Sequence, residues 1–386
     1  MHPCLVFLRK TSMKKILIAL LTACLASLAS LTYSQVKELR ITSDEVVIEK
    51  LGARLPKAVP PADLAPAVRR AISLARQTAD PRYLGQAQAM IGTLWSNPAA
   101  SYDIATLQAT IEQSRHEFAQ ARITLQNALA KPAPSHAQAW LTLATIERVQ
   151  GNYKQAEAAC KSIKPTEAQL YAQACLLETQ SLQGLRNPAR EGFHALLRQQ
   201  NQPSQQAWLL SLLAENEDRS GNTAAALKHY ALSLSLDNDG YTALAYADAL
   251  LRQNQAAQAI TALQNQPASD AVLIRRAHAY KLLKDPQYQR LADELNARFA
   301  AAEQRENSQR DGGKLGHARE QALHALYVQG QAQAALAFAQ NNLKLQREPI
   351  DWLIAIESAA QLGQAAEKAK LIAAAAQTGL KDERLK

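Results

Sequence analysis

Between residues 139 and 163 the apolar positions fall into two helical stripes separated by a turn. Trp140, Leu143 and Ala144 stand at i, i+3 and i+4, Gly151-Asn152-Tyr153 follows, and Ala156, Cys160 and Ile163 carry on a second stripe. The spacing predicts two amphipathic helices, with Gly151 supplying the left-handed backbone that ends the first. The pattern returns over residues 208–236 around Gly221-Asn222, with Ala214, Ala226, Leu227 and Tyr230, and again around Gly184, Asn254, Gly330 and Gly363. Upstream, Leu64, Val68, Ile72 and Leu74 mark a helix beginning at Asp63. Asp80-Pro81 breaks it and residues 83–95 restart it.

The punctuation is periodic. Gly151, Gly184 and Gly221 are 33 and 37 residues apart, and Gly330 and Gly363 are 33 apart. Alanines recur in the same phase at 121, 156, 189, 226, 259, 292 and 335. A short unit that cannot bury its own apolar face is copied and stacked. A tryptophan, a small crossing residue, a glycine-centred turn and a second-helix alanine resemble the tetratricopeptide repeat (TPR) family over residues 64–380, about eight units. The resemblance implies an all-α fold, a right-handed α-solenoid of stacked helix-turn-helix repeats. Asp80-Pro81-Arg82-Tyr83-Leu84-Gly85 and Gln346-Arg347-Glu348-Pro349 are also similar to exported bacterial TPR proteins of unassigned activity.

Departures mark the expected organisation. The units at Asp80-Pro81 and Asp285-Pro286 lack the turn glycine and are expected to carry inserts. Residues 303–316, with Asp311-Gly312-Gly313, interrupt the phase. The expected plan is a signal peptide at 1–34, a leader at 35–62 with a short strand at 45–48, a first stack at 63–302, a hinge loop at 303–316 and a C-terminal stack at 317–386.

Charge and composition refine the picture. The net charge is +9, but four of the 43 bases precede residue 35, where there is no acid. The remaining balance, without a basic patch interleaved with aromatics, excludes a nucleic-acid partner. Met13-Lys14-Lys15 and the apolar residues 16–31 read as an export signal, with Met13 as an alternative start and cleavage between Ala29 and Ser34. Leu21-Thr22-Ala23-Cys24 offers the alternative of a lipidated Cys24. No later segment is apolar enough to span a bilayer. The expected location is the periplasm of a Gram-negative bacterium, or else the outer membrane as a lipoprotein.

Catalytic motifs are missing: nucleophile elbow, zinc-protease helix, phosphate loop and dinucleotide fingerprint. The chain is read as non-enzymatic, and nothing in it calls for a cofactor. Cys160 and Cys175 are expected either as a disulfide or as buried thiols. Export favours the bond, while an axial offset between the two helices opposes it. His317, Glu320 and His324 fall at i, i+3 and i+7 and make a candidate metal site without an evident fourth ligand. Tyr327 follows on the same face.

First helices of such repeats line the concave side. Tyr171, Trp208 and Tyr241 open three successive first helices, and Glu178, Glu215 and Asp248 stand two turns further along, with Glu357 in the last unit. An aromatic row beside an acidic row suits a protein or extended peptide with basic side chains. The alternative assigns the aromatics to inter-repeat packing and the acids to solvation. The functional readings are an exported binding scaffold, a lipid-anchored envelope assembly or secretion factor, and a metal-handling protein.

Overall fold

The computed structural model describes residues 61–308 and 318–386, which belong to one compact unit. The export signal, Cys24, most of the leader with its expected strand, and His317 lie outside these residues. The described chain is a TPR-like α-solenoid of nine antiparallel helix pairs, one more than the period predicts. They are α1 (Pro61–Thr78) with α2 (Arg82–Ile91), α3 (Tyr102–Ser114) with α4 (Phe118–Leu129), and α5 (Ala137–Val149) with α6 (Tyr153–Lys161). Next come α7 (Pro165–Leu182) with α8 (Arg186–Gln199), α9 (Pro203–Arg219) with α10 (Thr223–Leu236), and α11 (Gly240–Arg252) with α12 (Ala256–Leu263). The last three are α13 (Asp270–Leu282) with α14 (Gln287–Ser308), α15 (Ala318–Leu323) with α16 (Ala332–Asn342), and α17 (Pro349–Gln361) with α18 (Ala365–Gln377).

One backbone device joins every pair. The first helix is followed by a residue of positive φ, and in eight of the nine pairs the N–H of the very next residue reaches back to a carbonyl of the last turn. Asn152 donates to the Glu147 carbonyl at 2.8 Å, Asn222 to Glu217 at 2.9 Å, Gln255 to Leu250 at 2.9 Å and Gln364 to Ala359 at 3.0 Å. This closes the carbonyls that a helix end leaves without partners. Gly151, Gly184, Gly221, Gly330 and Gly363 hold the left-handed position in five pairs. Ala79, His116, Asn254 and Lys284 hold it in the other four, with φ between 53° and 62°. At two Gly-Asn turns the carboxylate of Glu147 or Glu217 also accepts the Asn152 or Asn222 side-chain amide at 2.8 Å, and takes an arginine from the preceding pair, Arg122 or Arg190.

The Asp-Pro turns carry no insert. Ala79 and Lys284 supply the turns themselves, and Asp80 and Asp285 accept the backbone N–H groups of Arg82 and Gln287 at 2.9 and 2.8 Å. Asp-Pro is therefore a turn followed by a helix start, not an interruption. All seven phased alanines, from Ala121 to Ala335, are buried at the crossings, where a larger side chain would force the helices apart. The helix α14 is extended, at 22 residues, and helices from both sides of residues 309–317 pack together. Lys281 donates to the Val328 carbonyl at 2.8 Å, and so does the Tyr288 hydroxyl.

The disulfide is formed. Cys160 and Cys175 lie 5.7 Å apart at Cα. The axial offset that opposed bonding assumes that α7 runs straight from its first residue. Ala168 is non-helical, at φ −161° and ψ 55°, so the first turn of α7 belongs with the connection. The bond closes a loop over a sequence separation of 15, worth about 3 kcal/mol by the chain-entropy argument.

The solenoid curls until its end meets its middle. Arg347 donates its N–H to the Val149 carbonyl at 2.7 Å, and Lys381 donates to that of Leu182 at 2.9 Å. Leu380 and Leu385 share a buried cluster with Tyr153, Leu182 and Trp352. Three turn glycines lie under this closure: a Cβ on Gly151 would touch Arg347 and Thr378, one on Gly184 would meet Lys381 at 3.0 Å, and one on Gly221 would meet Glu383 at 3.7 Å.

The turn conformation sets opposite expectations for two substitutions. Gly184→Ala forces a side chain into the left-handed region, at about 1–2 kcal/mol, and against Lys381. Lys284→Gly relieves the same conformational strain, offset by about 0.5–1 kcal/mol of glycine entropy. Urea midpoints should fall for the first and stay level or rise for the second. Equal losses would contradict a shared left-handed turn.

Candidate functional site

The first helices α7, α9 and α11 bring the three predicted aromatics to one rim. The rings of Tyr171 and Trp208 are 5.4 Å apart, and Tyr241 stands on the next helix. They border a cavity of about 470 Å³ whose wall includes Ser204, Asp237 and Cys175. Tyr171 is 40% exposed and Tyr241 60%. Trp208 differs: it is half-buried and packs on the Phe193 and Leu209 cluster, so its ring serves the repeat contact as well as the rim.

Two turns along the same helices, Glu178, Glu215 and Asp248 border a second cavity of about 360 Å³. These acids are not held out to solvent. Arg148 pairs with Glu178 at 3.0 Å, Arg219 with Glu215 at 3.1 Å, and Arg275 grips Asp248 with two bonds of 2.7 Å. Asp218, which the acidic row did not include, takes both Arg252 and Arg384. Burial alone would raise the Asp218 carboxyl, but the two guanidinium groups prevail and hold it below the usual range. Glu178 goes the other way: burial, reinforced by the charges of Glu215 and Glu348, lifts it despite Arg148. Tyr241 reaches inward to the same cluster. The charge of Glu215, then burial, keeps its hydroxyl protonated far above the usual range.

From the far side, Arg319 enters the cavity wall and makes paired bonds of 2.6 and 2.8 Å to Asp351, which Asn342 also contacts at 2.7 Å. Asp351 is buried, so removing Arg319 would leave a buried carboxylate without its cation, at about 3–5 kcal/mol. The arginines are the part of the site that the sequence did not reveal. Arg219 and Arg252 do share a phase, each two residues before a turn residue, and that was an available signal.

A third cavity, of about 440 Å³, lies beside a π-helical turn, His324–Gln329. His278 stacks on Tyr327 with ring centroids 4.5 Å apart, and the Tyr327 hydroxyl donates to Glu357 at 2.6 Å. The three proposed metal ligands are not shown as a group. His317 lies outside the described residues, Glu320 borders the central cavity, and His324 is buried and stacked on Phe299 at 4.8 Å. Among the described residues no trio of His, Cys, Asp or Glu is placed to hold a metal ion. Nor is any described helix long and apolar enough to cross a membrane.

No protein-family profile matches the sequence, and no curated protein matches it either. Among solved structures, the human IFIT1 dimer with m7Gppp-AAAA is 12% identical over 81% of this chain and 73% of that one, with a TM-score of 0.38. The APC/C heterotetramer Cut9–Hcn1 is 11% identical over 82% of this chain and 75% of that one, at 0.37. The P58(IPK) TPR domain is 14% identical over 78% of this chain and 99% of that one, at 0.19. Likenesses this distant say nothing of what the chain binds. Its repeat architecture stands on its own helix pairs and turns.

The histidine stack has a pH consequence. Burial, aided by Lys281 and Arg275 and opposed by Asp248, lowers His278 from 6.5 to about 4. Below pH 6.5 the unfolded chain takes up this proton before the folded one does, so stability falls as pH drops from 6.5 to 4, by about 3 kcal/mol in all. His278→Phe keeps a ring against Tyr327 and removes the titration. Urea midpoints at pH 7 and pH 4.5 should differ less for the variant than for the wild type. The same drop in both would remove His278 as the source.

Proposed function

We propose that this chain is a non-enzymatic scaffold that binds a protein or extended peptide across Tyr171, Trp208 and Tyr241. One observation carries the reading: two tyrosines, 40% and 60% exposed, and a half-buried tryptophan from three successive repeats share the rim of one cavity. Rigid aromatic faces give contact area at little entropic cost, and such residues dominate binding energy where they are buried by a partner. The acidic row contributes less than its sequence suggests. Because Glu178, Glu215 and Asp248 already hold arginines, a preference for basic partners has weak support, and aromatic contact leads.

The test uses a peptide library selected against residues 35–386. Tyr171→Ala with Tyr241→Ala should weaken the selected peptides by at least about 30-fold, the equivalent of one hot spot of about 2 kcal/mol. The melting temperature should stay close to that of the wild type, because both side chains are exposed. Unchanged affinity would remove the aromatic rim as the site. Trp208→Ala is a poorer probe, since it also opens the repeat core.

We also place the protein outside the cytoplasm, as an exported scaffold. The Cys160–Cys175 disulfide supports this reading, because such bonds persist in oxidising compartments. Lipidation at Cys24, which would make it an envelope assembly factor held at a membrane, is the alternative. Mass spectrometry of the mature N-terminus separates the two. A free terminus between residues 30 and 35 is expected; an acylated Cys24 establishes the anchor, and an intact residue 1 would overturn export.

A further inference from the structure

The chain ends on its own solenoid. Past α18, residues 378–386 run across the turns that close the third, fourth and fifth pairs, where Gly151, Gly184 and Gly221 keep the surface free of side chains. At Gly184 even a methyl group would press on Lys381 at 3.0 Å. Two leucines anchor the segment, Leu380 at 3% exposure and Leu385 at 5%. Between them Lys381 gives its N–H to the Leu182 carbonyl, Glu383 takes Arg186 at 2.9 Å, and Arg384 reaches Asp218 inside the central cavity.

The charges of this contact are arranged in duplicate. Asp218 holds Arg252 as well as Arg384. Arg384 carries its own carboxylate, Asp382, two residues away in the same segment. Arg186 donates to the Arg219 carbonyl as well as to Glu383, and Glu383 is also paired with Lys386. If the segment lifts off, every one of these groups keeps a partner on its own side. Asp218 and Arg384 both stay ion-paired, which avoids the step that makes most buried ion pairs costly to break. Arg186 alone gives up its carboxylate and keeps the Arg219 carbonyl. A segment held to the solenoid by a single backbone bond from Lys381, with Arg384–Asp382 and Lys386–Glu383 paired inside it, is built to come away whole.

We propose that residues 380–386 form a detachable latch, and that the turn edge of the third to fifth pairs is a docking site for a short peptide with two leucines five residues apart and an arginine between them. In the closed state this chain supplies that peptide itself. Release opens the wall of the central cavity at Arg384, whose partner Asp218 lies nearly three helical turns from Trp208 at the aromatic rim. The inference stands apart from what the rim binds, because its ligand is a piece of this sequence.

The experiment needs no other partner. A chain stopped after Gly379 is titrated with a fluorescent heptapeptide of residues 380–386. Saturable binding is expected, at least tenfold tighter than to the full chain, where the site is filled. The peptide with Arg384→Ala should bind at least tenfold more weakly. Equal binding to both chains, or no binding to a shortened chain whose circular dichroism matches the full one, overturns the proposal. Hydrogen exchange of the intact protein gives an independent answer should the shortened chain fail to fold. The Lys381 amide, bonded to Leu182, should exchange by local opening, well ahead of amides in α9 and α11. Exchange only at the rate of those core amides would make the segment a fixed part of the fold and end the proposal.

Discussion

A guanidinium buried in a helical stack must find a carboxylate, and that demand organises the concave side of this molecule. Arg219 is 3% exposed and donates to Glu215 and to the Ser181 hydroxyl. Arg275, two pairs further on, reaches back to Asp248 in the pair between, and Arg148, two pairs earlier, reaches forward to Glu178 in the pair between. Two of these bonds cross between successive first helices, so they fix the angle at which one pair stacks on the next. The curl that brings α17 and the chain end back onto α5, α7 and α9 depends on that angle. Arg319 and Arg384 then enter the same cavity from the returning end and find Asp351 and Asp218.

The repeat itself was legible from residues alone, because turn and crossing make local demands. A left-handed helix end selects glycine, and a close crossing selects alanine. The count fell short by one because His116 makes the same left-handed turn after α3 with neither a glycine nor an Asp-Pro pair to mark it. A rule keyed to glycine misses it, and at Ala79 and Lys284 a following Asp-Pro pair made the same turn look like an insert. The aromatic and acidic rows were found on the right helices, since a row needs only the period. Their chemistry was not, because an arginine partner 27 or 30 residues away in sequence, as in Arg275–Asp248 and Arg148–Glu178, is set by the stacking geometry. The disulfide was left undecided for a similar reason: one non-helical residue, Ala168, changes the axial register of α7, and nothing in its side chain announces that.

The closure was not legible at all. Arg384 meets Asp218 across 166 positions, and Arg186 meets Glu383 across 197. Such contacts follow from the accumulated rotation of several pairs, which no local pattern encodes. One trace is visible afterwards. Gly151, Gly184 and Gly221 answer both to the left-handed turn and to the chain passing above, whereas Gly363, with nothing within 4 Å of its Cβ position, answers to the turn alone.

The seven-residue interval between the two rows divides the groove in depth. Tyr171 and Glu178, Trp208 and Glu215, and Tyr241 and Asp248 are each two helical turns apart, about 10 Å along the axis. The acids lie towards the ends where the turns and the chain terminus seal the stack, and there their charges are spent on arginines. The aromatics lie at the helix starts, on the rim away from that closure, and Tyr171 and Tyr241 keep part of their surface exposed there. Charge is present at the rim too, where Asp237 and Asp239 border the same cavity as the rings. The arginine-paired acids lie deeper, and their bonds between successive first helices hold the rings at a fixed spacing.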